Sequence, residues 1–239
     1  MGKINRVQLL LGTLAIVCAI PASLQASTSS MTLTSAGGNV LGGVYIGPYY
    51  ATIDGQSNVP IICDDFVDES FVGESWTANV TTVSSNSPTW VSTREQLSST
   101  QQSKDYAEAA YLATQLMNGA TCPPGTPSCA SSDYAGDIQF AIWQIFDPAG
   151  GGSPFNYISG NDLTNAQAWL TYVQNLAPSI SSYANVVVYS PLGQNSPPQE
   201  FLRVTVPESA TPWILSSDLL LLGGLVLFFR RRSATRRSQ

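Results

Sequence analysis

Cys63, Cys122 and Cys129 are the side chains of this sequence best suited to covalent chemistry, and the chain has no histidine to activate them. The absence of His excludes a His-containing zinc site, a Ser-His-Asp relay, an imidazole general base and a switch near neutrality. With Cys18 the chain has four Cys, too few and too scattered for a Cys-only zinc site. Cys122 and Cys129 bracket the turn-rich loop Pro123-Pro124-Gly125-Thr126-Pro127-Ser128, and bridging them is sterically easy. Closing so short a loop stabilises a fold by roughly 2–3 kcal/mol through lost chain entropy. Cys63 is then left over, either as a buried thiol or, as a thiolate, as a nucleophile. The alternative is a bridge from Cys63 to Cys122 or Cys129. Next to Cys63 the carboxylates Asp64, Asp65, Asp68, Glu69 and Glu74 crowd a short stretch. Such a density can bind Ca²⁺, but the spacing is not that of an EF-hand. The cluster reads as a solvated acidic edge, with no metal site and no cofactor expected.

The elements that must position these residues follow from hydrophobic periodicity. Thr32–Thr34, Val44–Ile46, Tyr50–Ile53 and Val59–Ile62 are β-rich runs separated by Gly37-Gly38, Gly42-Gly43 and Asp54-Gly55, the last a good hairpin signal. Trp76–Val83 alternates as a half-buried strand does. The period then changes. Helices are predicted over Asp105–Met117, Asp133–Phe146 and Asp162–Leu176, with Ile138, Ala141, Ile142 and Ile145 on one face of the second. After Pro178 the chain returns to strands at Val186–Tyr189 and Phe201–Val204. The order predicts an α+β domain: a β-rich N-terminal part, a three-helix middle and a C-terminal β pair, with the late strands closing a sheet or barrel.

The two ends read differently. Residues 1–26 have the layout of a secretory signal peptide: Lys3 and Arg6, an apolar run from Leu9 to Ile20, and small residues up to Ala26. At the other end an apolar stretch, Trp213–Phe229, precedes Arg230-Arg231-Arg232, which is the pattern of a short C-terminal transmembrane helix with its basic flank in the cytoplasm. The domain between, residues 27–205, carries three basic side chains (Arg94, Lys104, Arg203) and fourteen acidic ones, a net of −11 hidden behind the whole-chain figure of −6. An acidic surface of this kind argues against nucleic acid as a partner.

Two patches of sequence resemble known families. Val206-Pro207-Glu208-Ser209, the apolar stretch and the Arg cluster resemble the PEP-CTERM sorting signal of Gram-negative bacteria, with Ser209 where the usual second proline stands. The resemblance implies an exosortase as partner, cleavage near Pro207-Glu208, a transient membrane helix, and delivery to the cell envelope or an exopolysaccharide matrix. Ile61-Ile62-Cys63-Asp64-Asp65-Phe66 and, with Gln139 76 positions after Cys63, Ile138-Gln139-Phe140-Ala141-Ile142-Trp143 resemble the motif pair of bacterial thioester domains. In that family a strand Cys follows hydrophobic residues, and its partner Gln opens a helix in the pattern hydrophobic-Gln-hydrophobic-Ala-hydrophobic-Trp. The resemblance implies an internal thioester between Cys63 and Gln139, sheltered by Phe66, Phe140 and Trp143, that a ligand amine or hydroxyl opens once. Gln139 as an ordinary polar position on an amphipathic helix, with Phe140 and Trp143 as plain core, is the competing reading.

Together these features lead us to expect an exported surface or matrix protein, not an enzyme, serving adhesion through the thioester that the resemblance implies. A non-covalent structural or carbohydrate-binding protein of the exopolysaccharide matrix is the alternative. A glycosidase is the third, although no pair of carboxylates is singled out for it.

Overall fold

Two periodicities in the chain build two layers. The structure is a computed structural model and describes residues 27–84, 99–147, 152–193 and 198–205. The expected signal segment, the apolar stretch 213–229 and the sorting residues Val206, Pro207, Glu208, Ser209, Arg230, Arg231 and Arg232 lie outside the described residues. Among the described residues no helix is long and apolar enough to cross a membrane.

The described residues begin with strands β1 (Ser27–Ser35), β2 (Val40–Leu41), β3 (Val44–Tyr45), β4 (Tyr49–Ile53), β5 (Gln56–Cys63) and β6 (Ser75–Thr82). Helices α1 (Ser99–Met117), α2 (Tyr134–Phe146) and α3 (Gly160–Leu176) follow, then strands β7 (Val186–Pro191) and β8 (Phe201–Val204). Six of the strands close an antiparallel barrel in the order β1-β4-β5-β8-β7-β6, while β2 and β3 form a separate two-stranded hairpin. The domain is therefore mixed α+β, and the late strands complete the barrel. Asp54 and Gly55 both take positive φ (50° and 82°) in the β4–β5 hairpin, the backbone that an Asp-Gly pair favours.

Side-chain alternation decides what each layer buries. On β5, Val59, Ile61 and Cys63 enter one cluster with Met31 and Leu33 of β1, Ala51 and Ile53 of β4, Trp76 and Ala78 of β6, Tyr189 of β7 and Phe201 of β8. In a closed barrel this shared face is the interior. Ile62, Val186, Val188 and Leu202 point the other way and join Tyr106, Ala109, Ala113 and Trp169 of the helices. Helix α2 is buried on every side from Gly136 to Ile145. Its face Ile138, Ala141, Ile142, Ile145 packs among the helices, and its opposite face delivers Phe140 and Trp143 to the barrel cluster.

Local signals explain the helix ends. Asp133 caps α2, its Oδ1 accepting from the Gly136 N–H at 3.0 Å. The Asp162 carboxylate in the first turn of α3 accepts from the Ser131 and Ser132 hydroxyls and the Ser132 N–H, which ties α3 to the segment leading into α2. Ala177 ends α3 in the left-handed region, its N–H donating to the Val173 carbonyl. Helix α1 starts at Ser99, earlier than the expected Asp105. The apolar period begins only at Tyr106, and the preceding Ser, Thr and Gln residues give no periodic signal although Gln102 is buried.

Candidate functional site

Cys63 is the last residue of β5 and lies where β8 closes the barrel, paired with Phe201. That seam is short, since β5 and β8 share only the pairs Ile62–Leu202 and Cys63–Phe201. Inward alternation places the thiol against the face of α2 that carries Gln139, Phe140 and Trp143. Cys63 and Gln139 are both fully buried. The Gln139 amide Nε2 donates to the Cys63 carbonyl at 2.5 Å. The structure therefore brings the two residues together from positions 76 apart in the chain.

The three aromatic residues expected around them are assembled as well. Phe66 lies 5.0 Å from Trp143 and 6.3 Å from Phe140 between ring centroids, and Phe140 packs edge-on against Trp143 at 5.0 Å. Tyr157 covers the outer side of Phe66 at 5.1 Å. Phe66 is placed by a turn: Asp65 Oδ1 accepts from the N–H groups of Val67 and Asp68, each at 3.1 Å. The Asp65 carbonyl accepts from the Cys63 thiol at 3.0 Å and from Gln199 Nε2 at 2.9 Å.

The electrostatics of the thiol follow from this dryness. Burial, and then the nearby Asp65 and Asp64, push the Cys63 thiol well above its ordinary value. The Asp65 backbone and the Trp143 indole N–H, both acting on the sulfur, pull the other way, whereas the thiol's own bond to the Asp65 carbonyl favours the protonated form. The indole N–H makes no hydrogen bond, yet it lies close enough to the sulfur to favour its anion. Tyr49, whose hydroxyl donates to the Tyr45 carbonyl at 2.6 Å, is also pushed up, by burial first and Cys63 second.

Gly47, which sequence reasoning missed, sets the place of the Gln139 amide. A Cβ at position 47 would come within 2.7 Å of Gln139 Oε1, an oxygen with no hydrogen-bond partner. The only sequence signal was a Gly-Pro step between two β-rich runs. Gly47→Ala should destabilise the domain by roughly 1–3 kcal/mol, the usual cost of overpacking. The same substitution in a Gln139→Ala background should cost little, because the colliding amide is gone. Chemical denaturation of the four proteins reads the coupling, and equal costs in both backgrounds would refute the close approach.

The acidic run after Cys63 is not the solvated edge that its composition suggested. Asp64 and Asp65 are buried, Asp68 and Glu74 are half-buried, and only Glu69 is exposed. Asp65 is consumed by the turn. Asp64 faces Glu200 of the strand β8 approach, and its N–H donates to the Glu200 carbonyl at 3.3 Å. Tyr106 of α1 donates its hydroxyl to Glu200 Oε1. Burial first, then Glu200 and Asp65, push the Asp64 carboxyl well up. The two carboxyls line a cavity of about 70 Å³ between the end of β5 and the end of α2. Among the described residues no three metal-ligating side chains converge on a site.

Cys122 and Cys129 form a disulfide across the loop between α1 and α2, with Cα atoms 5.9 Å apart, and Cys63 is a free thiol. The bridge is thus separate from the Cys63–Gln139 pair.

No family model matches the chain, and no curated protein matches it either. Among solved structures it is similar to the N-terminal domain of the Streptococcus pyogenes pilus tip adhesin Cpa. The TM-score is 0.44 at 13% identity, covering 78% of this chain and 97% of that one. A second structure of the pilus-presented adhesin, Spy0125 (Cpa), gives the same TM-score and identity over 77% of this chain and 48% of that one.

Proposed function

We propose that this chain is an exported surface adhesin whose domain forms an internal thioester between Cys63 Sγ and Gln139 Cδ. The observation that carries the reading is the Gln139 amide held on the Cys63 backbone in a dry pocket walled by Phe66, Phe140 and Trp143. In the forming step the Sγ–Cδ bond is made, the Cδ–Nε2 bond breaks, and the thiol proton departs with the nitrogen as ammonia. Because burial holds the thiol in its protonated form, proton transfer to the leaving nitrogen accompanies attack. In the second step a ligand amine or hydroxyl attacks Cδ, the sulfur leaves as the thiol, and Gln139 is joined to the ligand. The reaction is used once, so turnover is not part of it. Exosortase sorting through the tail, and attachment to an exopolysaccharide or a surface amine, belong to the same reading.

Intact mass of the protein isolated from its own cells tests both parts. The expected mass is lower than the sequence mass of the mature chain by one ammonia, with Cys63 refractory to thiol reagents in denaturant, or, once a ligand has been captured, changed by the attached ligand less one ammonia, with Cys63 labelled on unfolding. A full mass with a thiol that is labelled on unfolding overturns the thioester and leaves a non-covalent domain. Persistence of the apolar tail in mature protein overturns the sorting.

A further inference from the structure

A cleft of about 350 Å³ lies between the three helices, apart from the Cys63–Gln139 pocket and lined by residues of α1, α2, α3 and the turn Pro154–Tyr157. Its size is in the range of small-ligand sites. We propose that it binds a neutral sugar ring.

The central observation is Glu108, a carboxylate that is 1% exposed and lines the cleft. Its Oε1 takes the Lys104 ammonium at 2.9 Å, while Oε2 accepts nothing. A buried carboxylate oxygen without a donor is costly, and a ligand hydroxyl satisfies it when the Glu108 side chain turns from its closed-off position into the cleft. Beside it, Asp105 already accepts from Gln101 Nε2 at 2.7 Å. Lys104, half exposed, supplies a donor from the same side as Glu108, and Gln174 offers an exposed amide at the rim.

The same cleft is also lined by the apolar side chains of Phe155, Leu170 and Ile145. Phe155 is held in place through Gln144, whose Oε1 accepts from the Ser153 hydroxyl at 2.6 Å and the Phe155 N–H at 3.4 Å. A pyranose matches such a cleft, with its C–H face on the ring and its hydroxyls toward carboxylate, ammonium and amide. Charge narrows the class. One Lys against Asp105 and Glu108 leaves the lining negative, which disfavours uronates, and a cationic ligand would compete with Lys104 for Glu108.

The test is an NMR titration of the full chain with maltose and cellobiose, with glucuronic acid as the anionic counterpart. We expect saturable binding of at least one neutral disaccharide and none of glucuronic acid. Glu108→Gln should weaken binding roughly tenfold or more, the loss that follows removal of a charged hydrogen-bond acceptor. Gln174→Trp, at an exposed rim position where folding is not at stake, should block the cleft. No binding of either neutral sugar, unchanged affinity in Gln174→Trp, or equal binding of glucuronic acid each overturns the proposal. None of these readouts depends on the thioester, whose mass test stands or falls separately.

Discussion

Trp143→Ala should cost the domain roughly 3–5 kcal/mol, the range for deleting a fully buried aromatic side chain. Trp143 is buried where the barrel cluster meets α2, in contact with Phe66 and Phe140 at 5.0 Å each. Truncation leaves a void that neither neighbour can fill, since Phe140 is anchored on the same helix and Phe66 is fixed by the Asp65 turn. A loss of this size is a large fraction of a domain's total stability. Trp143→Phe keeps most of the bulk and removes the indole N–H, so it should cost far less while raising the Cys63 thiol further, because the N–H favours the anion. Denaturant unfolding measures the first effect; the second is read from the pH dependence of thiol labelling in a Gln139→Ala background, where no thioester can form and Cys63 stays a thiol. A Trp143→Ala protein within about 1 kcal/mol of the parent would contradict the packing described for the site.

The second large effect is a pH dependence centred on Asp64. Its carboxyl is pushed up by burial first and then by Glu200 and Asp65. Below about pH 4 the carboxyl is protonated in folded and unfolded chains alike, and its burial carries little charge penalty. As pH rises, the unfolded chain releases the proton while the folded chain retains it, so stability falls until the folded carboxyl also ionises. Asp137, raised to about 6 chiefly by burial, adds a fall of the same sign. Asp64→Asn should therefore raise the melting temperature at neutral pH and flatten the decline above about pH 4. Thermal unfolding across that range checks it, and an unchanged or steeper decline in the variant is the opposing result.

Much of this architecture was legible because its signals are local. The Asp54-Gly55 hairpin, the alternation of β5 and the helical face Ile138, Ala141, Ile142, Ile145 each express a period within a few residues. Phe66, Phe140 and Trp143 also stood near the expected site, although only the fold could show that their rings meet. The fate of Asp64 was not legible, because it depends on β8 and α1 arriving from distant parts of the chain to bury it. A charge run carries no mark of which members a later strand will cover. Gly47 was hidden for a related reason: its requirement is the absence of an atom, set by an amide 92 positions away. The early start of α1 escaped notice because polar helix residues leave no apolar trace.

The short seam between β5 and β8 also has a consequence during synthesis. Strand β5 is made long before β8, and until Phe201 emerges the backbone around Ile62 and Cys63 is an unpaired sheet edge. Such an edge is a template for another chain. A nascent or truncated chain lacking residues 201–204 would carry this edge together with its apolar neighbours Ile61 and Ile62. It would be prone to strand exchange with its siblings, so the last few residues of the domain act as a solubility device for the whole barrel.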